Sequence, residues 1–67
     1  MNGKAKQLID AIIAQRSGGN PTLMITTRTK IMLKGVNPER FLASTPDDPV
    51  IIDKLRRIGQ ELGVQIY

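Results

Sequence analysis

Glycine ends three helical runs of this chain, and that punctuation constrains its fold more than any other feature. An apolar residue follows the glycine at Gly35-Val36 and at Gly63-Val64. This pair is typical of a left-handed C-cap, in which the apolar side chain folds back onto the last turn of the helix. Gly18 follows the first run in the same way. The glycines therefore predict helices that end near residues 16, 34 and 62.

The starts of the helices are marked by a capping residue followed by proline, the residue preferred at the first helical position. These pairs are Asn20-Pro21, Asn37-Pro38, Thr45-Pro46 and Asp48-Pro49. Together with the glycines they predict helices over about residues 4–16, 21–34 and 49–62, and a short helical turn over 38–43 that docks Phe41 and Leu42. The last helix starts at Pro46 or at Pro49, and the local sequence leaves both open.

Apolar residues recur at helical spacing in the first and last of these segments, which predicts one buried stripe on each helix. The two stripes are Ala5, Leu8, Ile9, Ile12 and Ile13, and Ile51, Ile52, Leu55, Ile58 and Leu62. We therefore expect a single small domain over residues 1–67, folded as an all-α bundle of three helices.

The middle segment is ambiguous, because its four threonines and its isoleucines favour strands as much as helices. A helix is favoured, since residues 28–30 lack the residues of a tight hairpin turn. That helix would line one face with Met24, Thr27, Ile31 and Lys34. The alternative is an α+β fold in which residues 22–27 and 64–67 are extended.

The chain has neither cysteine nor histidine. Disulfides, sulfur or imidazole metal sites and histidine-activated nucleophiles are therefore excluded. The adjacent carboxylates Asp47 and Asp48 would diverge by about 100° on a helix, and starting a helix explains both. We expect no enzymatic activity, no catalytic residue, no cofactor and no metal.

The basic residues are unevenly distributed. Residues 1–36 hold six lysines and arginines against one acid, whereas residues 37–67 hold four against five. The middle helix contributes Arg28, Lys30 and Lys34 with no acid among them, and it follows a short glycine-containing connection. This arrangement resembles a helix-turn-helix in outline. The resemblance implies salt-dependent nucleic-acid binding through Arg16, Arg28, Lys30 and Lys34 as an alternative function.

The leading prediction is a small non-catalytic module that binds another macromolecule, and we expect a protein partner. A chain of this length buries a small core, so a partner or a second copy of the chain could cover apolar surface that remains. The predicted contact surface is the middle helix with Met24 and Met32. No apolar run approaches the length of a membrane span and no signal peptide is visible, so we expect a cytoplasmic protein without membrane contact.

Overall fold

The structure is a computed structural model that describes residues 2–64, and it folds these residues into three α-helices. Helix α1 spans Lys4–Ser17, α2 spans Pro21–Leu33 and α3 spans Pro49–Glu61, with a 3₁₀ turn at Pro38–Arg40. The all-α prediction is confirmed. Residues 22–27 belong to α2, so the α+β alternative is wrong there, and residues 65–67 of its second extended segment lie outside the described residues.

The start of each of the later elements follows the capping chemistry of the sequence. The Asn20 side chain accepts a hydrogen bond from the Thr22 amide at 2.9 Å. The Asp48 side chain accepts one from the Val50 amide at 2.9 Å, so α3 begins at Pro49 and the alternative start at Pro46 is not used. These bonds satisfy backbone donors that have no partner within the helix.

Helices α2 and α3 both end in the glycine motif that the sequence predicts. The amide of Gly35 donates to the Met32 carbonyl at 3.0 Å, and Val36 donates to Ile31. The same two bonds end α3, with Gly63 as the left-handed residue. Val36 is fully buried as a result, so this C-cap also contributes an apolar side chain to the core.

The start of α1 depends on a distant segment. Gly3 precedes the helix with φ of 83°, and it has no side chain that could cap the first turn. The Asp47 side chain accepts the Lys4 amide hydrogen bond at 3.0 Å, and the Gly3 amide donates to the Thr45 carbonyl at 2.9 Å. The two adjacent carboxylates therefore serve different helices, since Asp48 caps α3.

Helix α1 lies between the other two helices and packs against both. Its five predicted apolar residues are all buried, and they form one core with Ile31 of α2, Val36, Leu55 and Ile58 of α3, and Leu62 at the C-cap of α3. Phe41 packs against this core, whereas Leu42 is exposed and its predicted docking is wrong. The backbone is extended at Phe41, with φ of −113° and ψ of 115°, and successive side chains of extended chain point to opposite sides.

Candidate interaction surface

Few residues of helix α2 pack against the rest of the domain. Only Thr27 and Ile31 of its thirteen residues are buried. The other large apolar side chains are exposed, including Ile25 at 68% and Leu33 at 81% of their full accessibility. Met24 and Met32, which the sequence analysis placed on the contact surface, are exposed at 42% and 49%. A surface of this kind is unusual for a helix that packs within a small domain.

Six of the exposed residues form one continuous strip, because each residue of an α-helix advances by about 100° around the axis, and the exposed Leu23 and Met24 lie outside it. The strip covers about 120° on the side opposite Thr27 and Ile31 by the same helical spacing. We call it the outer α2 face, and it consists of Thr22, Ile25, Thr26, Thr29, Met32 and Leu33. It contains no charged residue.

Two of the three threonines of this face donate their hydroxyl hydrogen within the helix. The Thr26 hydroxyl donates to the Thr22 carbonyl at 3.0 Å, and the Thr29 hydroxyl donates to the Ile25 carbonyl at 3.0 Å. The donors of Thr26 and Thr29 are therefore already used, so their methyl groups and the acceptor side of their oxygens remain for contact with another molecule. The outer α2 face is consequently more apolar than its composition indicates.

A shallow groove adjoins the outer α2 face. It has a volume of about 270 Å³ and lies between Asp10, Ile13 and Ala14 of α1 and Met24 and Arg28 of α2. Its walls are mainly apolar, and Arg28 and Asp10 are the charged residues among those that line it. The Asp10 carboxylate already holds the Lys6 ammonium at 2.6 Å. The groove could therefore accept one apolar side chain of a bound molecule.

Two cations border the outer α2 face on opposite flanks. Arg28 and Lys30 are two positions apart, which separates them by about 200° around the helix. The ion pairs formed among residues 2–64 join Lys6 to Asp10, Lys34 to Glu61 and Arg57 to Asp53. Neither Arg28 nor Lys30 takes part in one of these pairs. Both charges are therefore available to a bound molecule.

The four predicted nucleic-acid contacts do not form one continuous ridge on the described part of the chain. Arg16 is exposed in the last turn of α1, while Arg28 lies at the groove. Lys30 and Lys34 share the other flank of α2, and Lys34 is paired with Glu61 of α3. Whether any of these residues contacts nucleic acid stays a prediction.

The described residues do not assemble a metal site, since no three metal-ligating side chains come together within residues 2–64. Within the same range, no helix combines the length and the apolar character needed to cross a bilayer. The absence of catalytic activity stays a prediction.

Ile25 and Leu33 belong to this surface but were not among the residues predicted for it from the sequence. Both are more exposed than the two predicted methionines. A signal was present, since Ile25, Thr29, Met32 and Leu33 follow the i, i+4, i+7, i+8 spacing of one helix face. The other face of α2 shows the same kind of spacing, so only the packing on α1 reveals which of the two is exposed.

Comparison with known proteins adds no functional information, because the chain matches no protein-family model, no curated protein and no solved structure.

Proposed function

We propose that this domain is a non-catalytic module that binds another protein through the outer α2 face. The observation that carries the proposal is the exposure of Ile25, Met32 and Leu33 on one uncharged strip of a folded domain. Contiguous apolar surface on a small protein commonly marks a contact site, because leaving it in water is unfavourable by about 25 cal/mol per Å². A strip along one helix suits the docking of a partner helix.

The fold does not need this strip, which supports a role in binding. The buried cluster is formed by α1, by Ile31 and Val36, and by the inner face of α3. Ile25 and Leu33 do not belong to that cluster, so their large apolar side chains do not stabilise the described domain by burial. We place this function in the cytoplasm, which cell fractionation would check.

The test replaces Ile25 and Leu33 by glutamine, a better helix former than isoleucine. The matched control is Val50→Gln, because Val50 is a 73% exposed apolar residue on a different helix, α3. Proteins retained from extract by the wild-type domain and by V50Q, but not by the I25Q/L33Q double variant, would be purified and titrated by calorimetry. We expect the purified partner to bind the wild-type domain directly and to bind the double variant with at least tenfold lower affinity.

Two outcomes would contradict the proposal. One is a purified partner that binds I25Q/L33Q as tightly as the wild type. The other is that no protein is retained in an α2-dependent manner. Circular dichroism of each variant would establish that the helices persist, because none of the three substituted side chains is buried.

Nucleic-acid binding is the second candidate, and the free cations Arg28 and Lys30 favour it. It predicts amide shifts clustered on residues 18–34 when duplex DNA is added at about 20 mM salt, and their loss at about 150 mM salt. An R28Q/K30Q variant should abolish those shifts. A spectrum unchanged by DNA at the lower salt concentration would dismiss this candidate.

A further inference from the structure

The charges around the outer α2 face indicate the chemistry of its partner. Arg28 borders the strip on the groove side and Lys30 borders it on the other side, so both edges are basic. Helix α2 carries no acid anywhere along its length. In a molecule that covers the apolar strip, the groups on either side of its own apolar surface therefore lie next to these two cations.

Two acids that face α2 are already paired with other lysines. Asp10, at the groove beside Arg28, holds Lys6 at 2.6 Å. Glu61 of α3 holds Lys34 at the C-terminal end of α2. Within residues 2–64 no ion pair compensates Arg28 or Lys30. Burying these cations under a neutral or basic partner would cost free energy without a compensating pair.

A second copy of the chain does not meet this requirement. Two outer α2 faces packed on each other would bring two copies of Arg28 and two of Lys30 to the edges of one interface. The helices contribute no carboxylate to separate these four cations, and like charges at an interface are unfavourable. The charge pattern therefore favours a different protein over self-association.

We propose that the partner is an acidic amphipathic helix, whose apolar stripe packs on the outer α2 face while its flanking carboxylates pair with Arg28 and Lys30. This inference rests on the proposed function. The groove between α1 and α2 extends the same surface, since Arg28 borders both. An apolar side chain of the partner would enter the groove beside Met24, and a carboxylate one turn away would reach Arg28.

The test uses three designed helical peptides that share one leucine stripe and differ only at the flanking positions, which carry glutamate, glutamine or lysine. We expect the glutamate peptide to bind the full chain about five- to tenfold more tightly than the glutamine peptide at low salt, with the lysine peptide weakest. The R28Q/K30Q variant should remove this ranking. The matched control is a K54Q/R56Q variant, which replaces one lysine and one arginine two positions apart on α3. This variant should keep the ranking of the three peptides.

The outcomes separate the two proposals. Equal binding of all three peptides, abolished by I25Q/L33Q, would overturn the acidic partner and leave the protein-binding face in place. No peptide binding, or peptide binding that I25Q/L33Q does not change, would overturn the acidic helix, and the extract experiment with I25Q/L33Q decides the protein-binding face separately.

Other occupants of the face are tested with the same variants. A dimer in sedimentation equilibrium that I25Q/L33Q dissociates would assign the face to a second copy of the chain. Binding to phosphatidylserine vesicles or to duplex DNA that is tighter than binding to the glutamate peptide, and lost in R28Q/K30Q, would assign it to that surface instead. Each of these results would overturn the inference.

Discussion

Helices α2 and α3 begin and end in the same way but differ in how many of their apolar side chains are exposed. Each has thirteen residues, begins with proline behind a capping side chain, and ends in a left-handed glycine followed by an apolar residue. Helix α3 turns a single apolar stripe toward α1 and keeps one large apolar side chain, Val50, in solvent. Helix α2 buries two residues and leaves five large apolar side chains exposed.

The difference separates two properties that a sequence encodes independently. Capping residues determine where a helix begins and ends, because they satisfy backbone groups locally. The distribution of apolar side chains around the helix determines how much of the helix surface is buried in the core. Apart from Val50, the apolar side chains of α3 pack in or against the core, whereas α2 has a second apolar strip, which is the basis for proposing that it binds a partner.

Truncation of one leucine on each helix should show the largest contrast. Leu55 of α3 is fully buried, so Leu55→Ala should lower the free energy of unfolding by about 3 kcal/mol. Leu33 of α2 is 81% exposed, so Leu33→Ala should change it by less than about 0.5 kcal/mol. Urea unfolding followed by circular dichroism measures both values. Similar losses would show that the outer α2 face supports the fold.

Alanine substitutions of the two glycines that end α2 and α3 should cause similar losses of stability. Gly35 and Gly63 have φ of 99° and 76°, so alanine at either position is strained, with an expected loss of about 1–2 kcal/mol. A Cβ at residue 35 would also lie 2.7 Å from the Lys54 ammonium nitrogen, the end of a flexible chain that can move away. Thermal unfolding measures both losses. A value near zero at either site would contradict the common C-cap.

The N-caps provide a third comparison between the helices. Asn20→Ala and Asp48→Ala should each lower stability by about 1 kcal/mol, because each leaves an amide of the first turn unpaired. Asp47→Ala should fray α1 rather than α3, since its carboxylate bonds the Lys4 amide. Amide hydrogen exchange would locate the effect. Faster exchange confined to the start of α3 in the Asp47 variant would contradict this assignment.

The smallest expected effect concerns the ion pair that joins the ends of the two helices. Lys34 and Glu61 are both at least a third exposed, so their coupling should lie below about 0.5 kcal/mol. A double-mutant cycle with Lys34→Gln and Glu61→Gln, repeated in high salt, measures this coupling. A coupling well above 1 kcal/mol would mean that the pair fixes the end of α2 on α3.

Much of the fold could be predicted from the sequence, because its determinants are local. The cap residues placed the ends of the three α-helices within about one residue, and the α1 stripe predicted its buried residues. The predicted turn over 38–43 was too long, since it ends at Arg40, where the backbone becomes extended at Phe41. The choice between Pro46 and Pro49 was not predictable, because Asp47 is engaged by the Lys4 amide, forty-three residues away in sequence. A contact of that separation leaves no local signal.

The candidate surface could be predicted only in part. Arg28 and Lys30 stood out as cations without neighbouring acids, and Met24 and Met32 stood out as adaptable apolar residues. The strip between the cations was not predictable, because α2 carries apolar residues on more than one side. Packing of Ile31 on α1 decides which side reaches solvent, and that is a tertiary property.

The most direct test of the outer α2 face is site-specific photo-crosslinking in living cells. A benzophenone amino acid replaces Leu33 in one protein and Val50 in another, two exposed apolar sites on different helices. We predict a discrete adduct with another protein from position 33 and none from position 50. The same adducts from both positions, or none from position 33, would contradict the claim that the outer α2 face binds a protein.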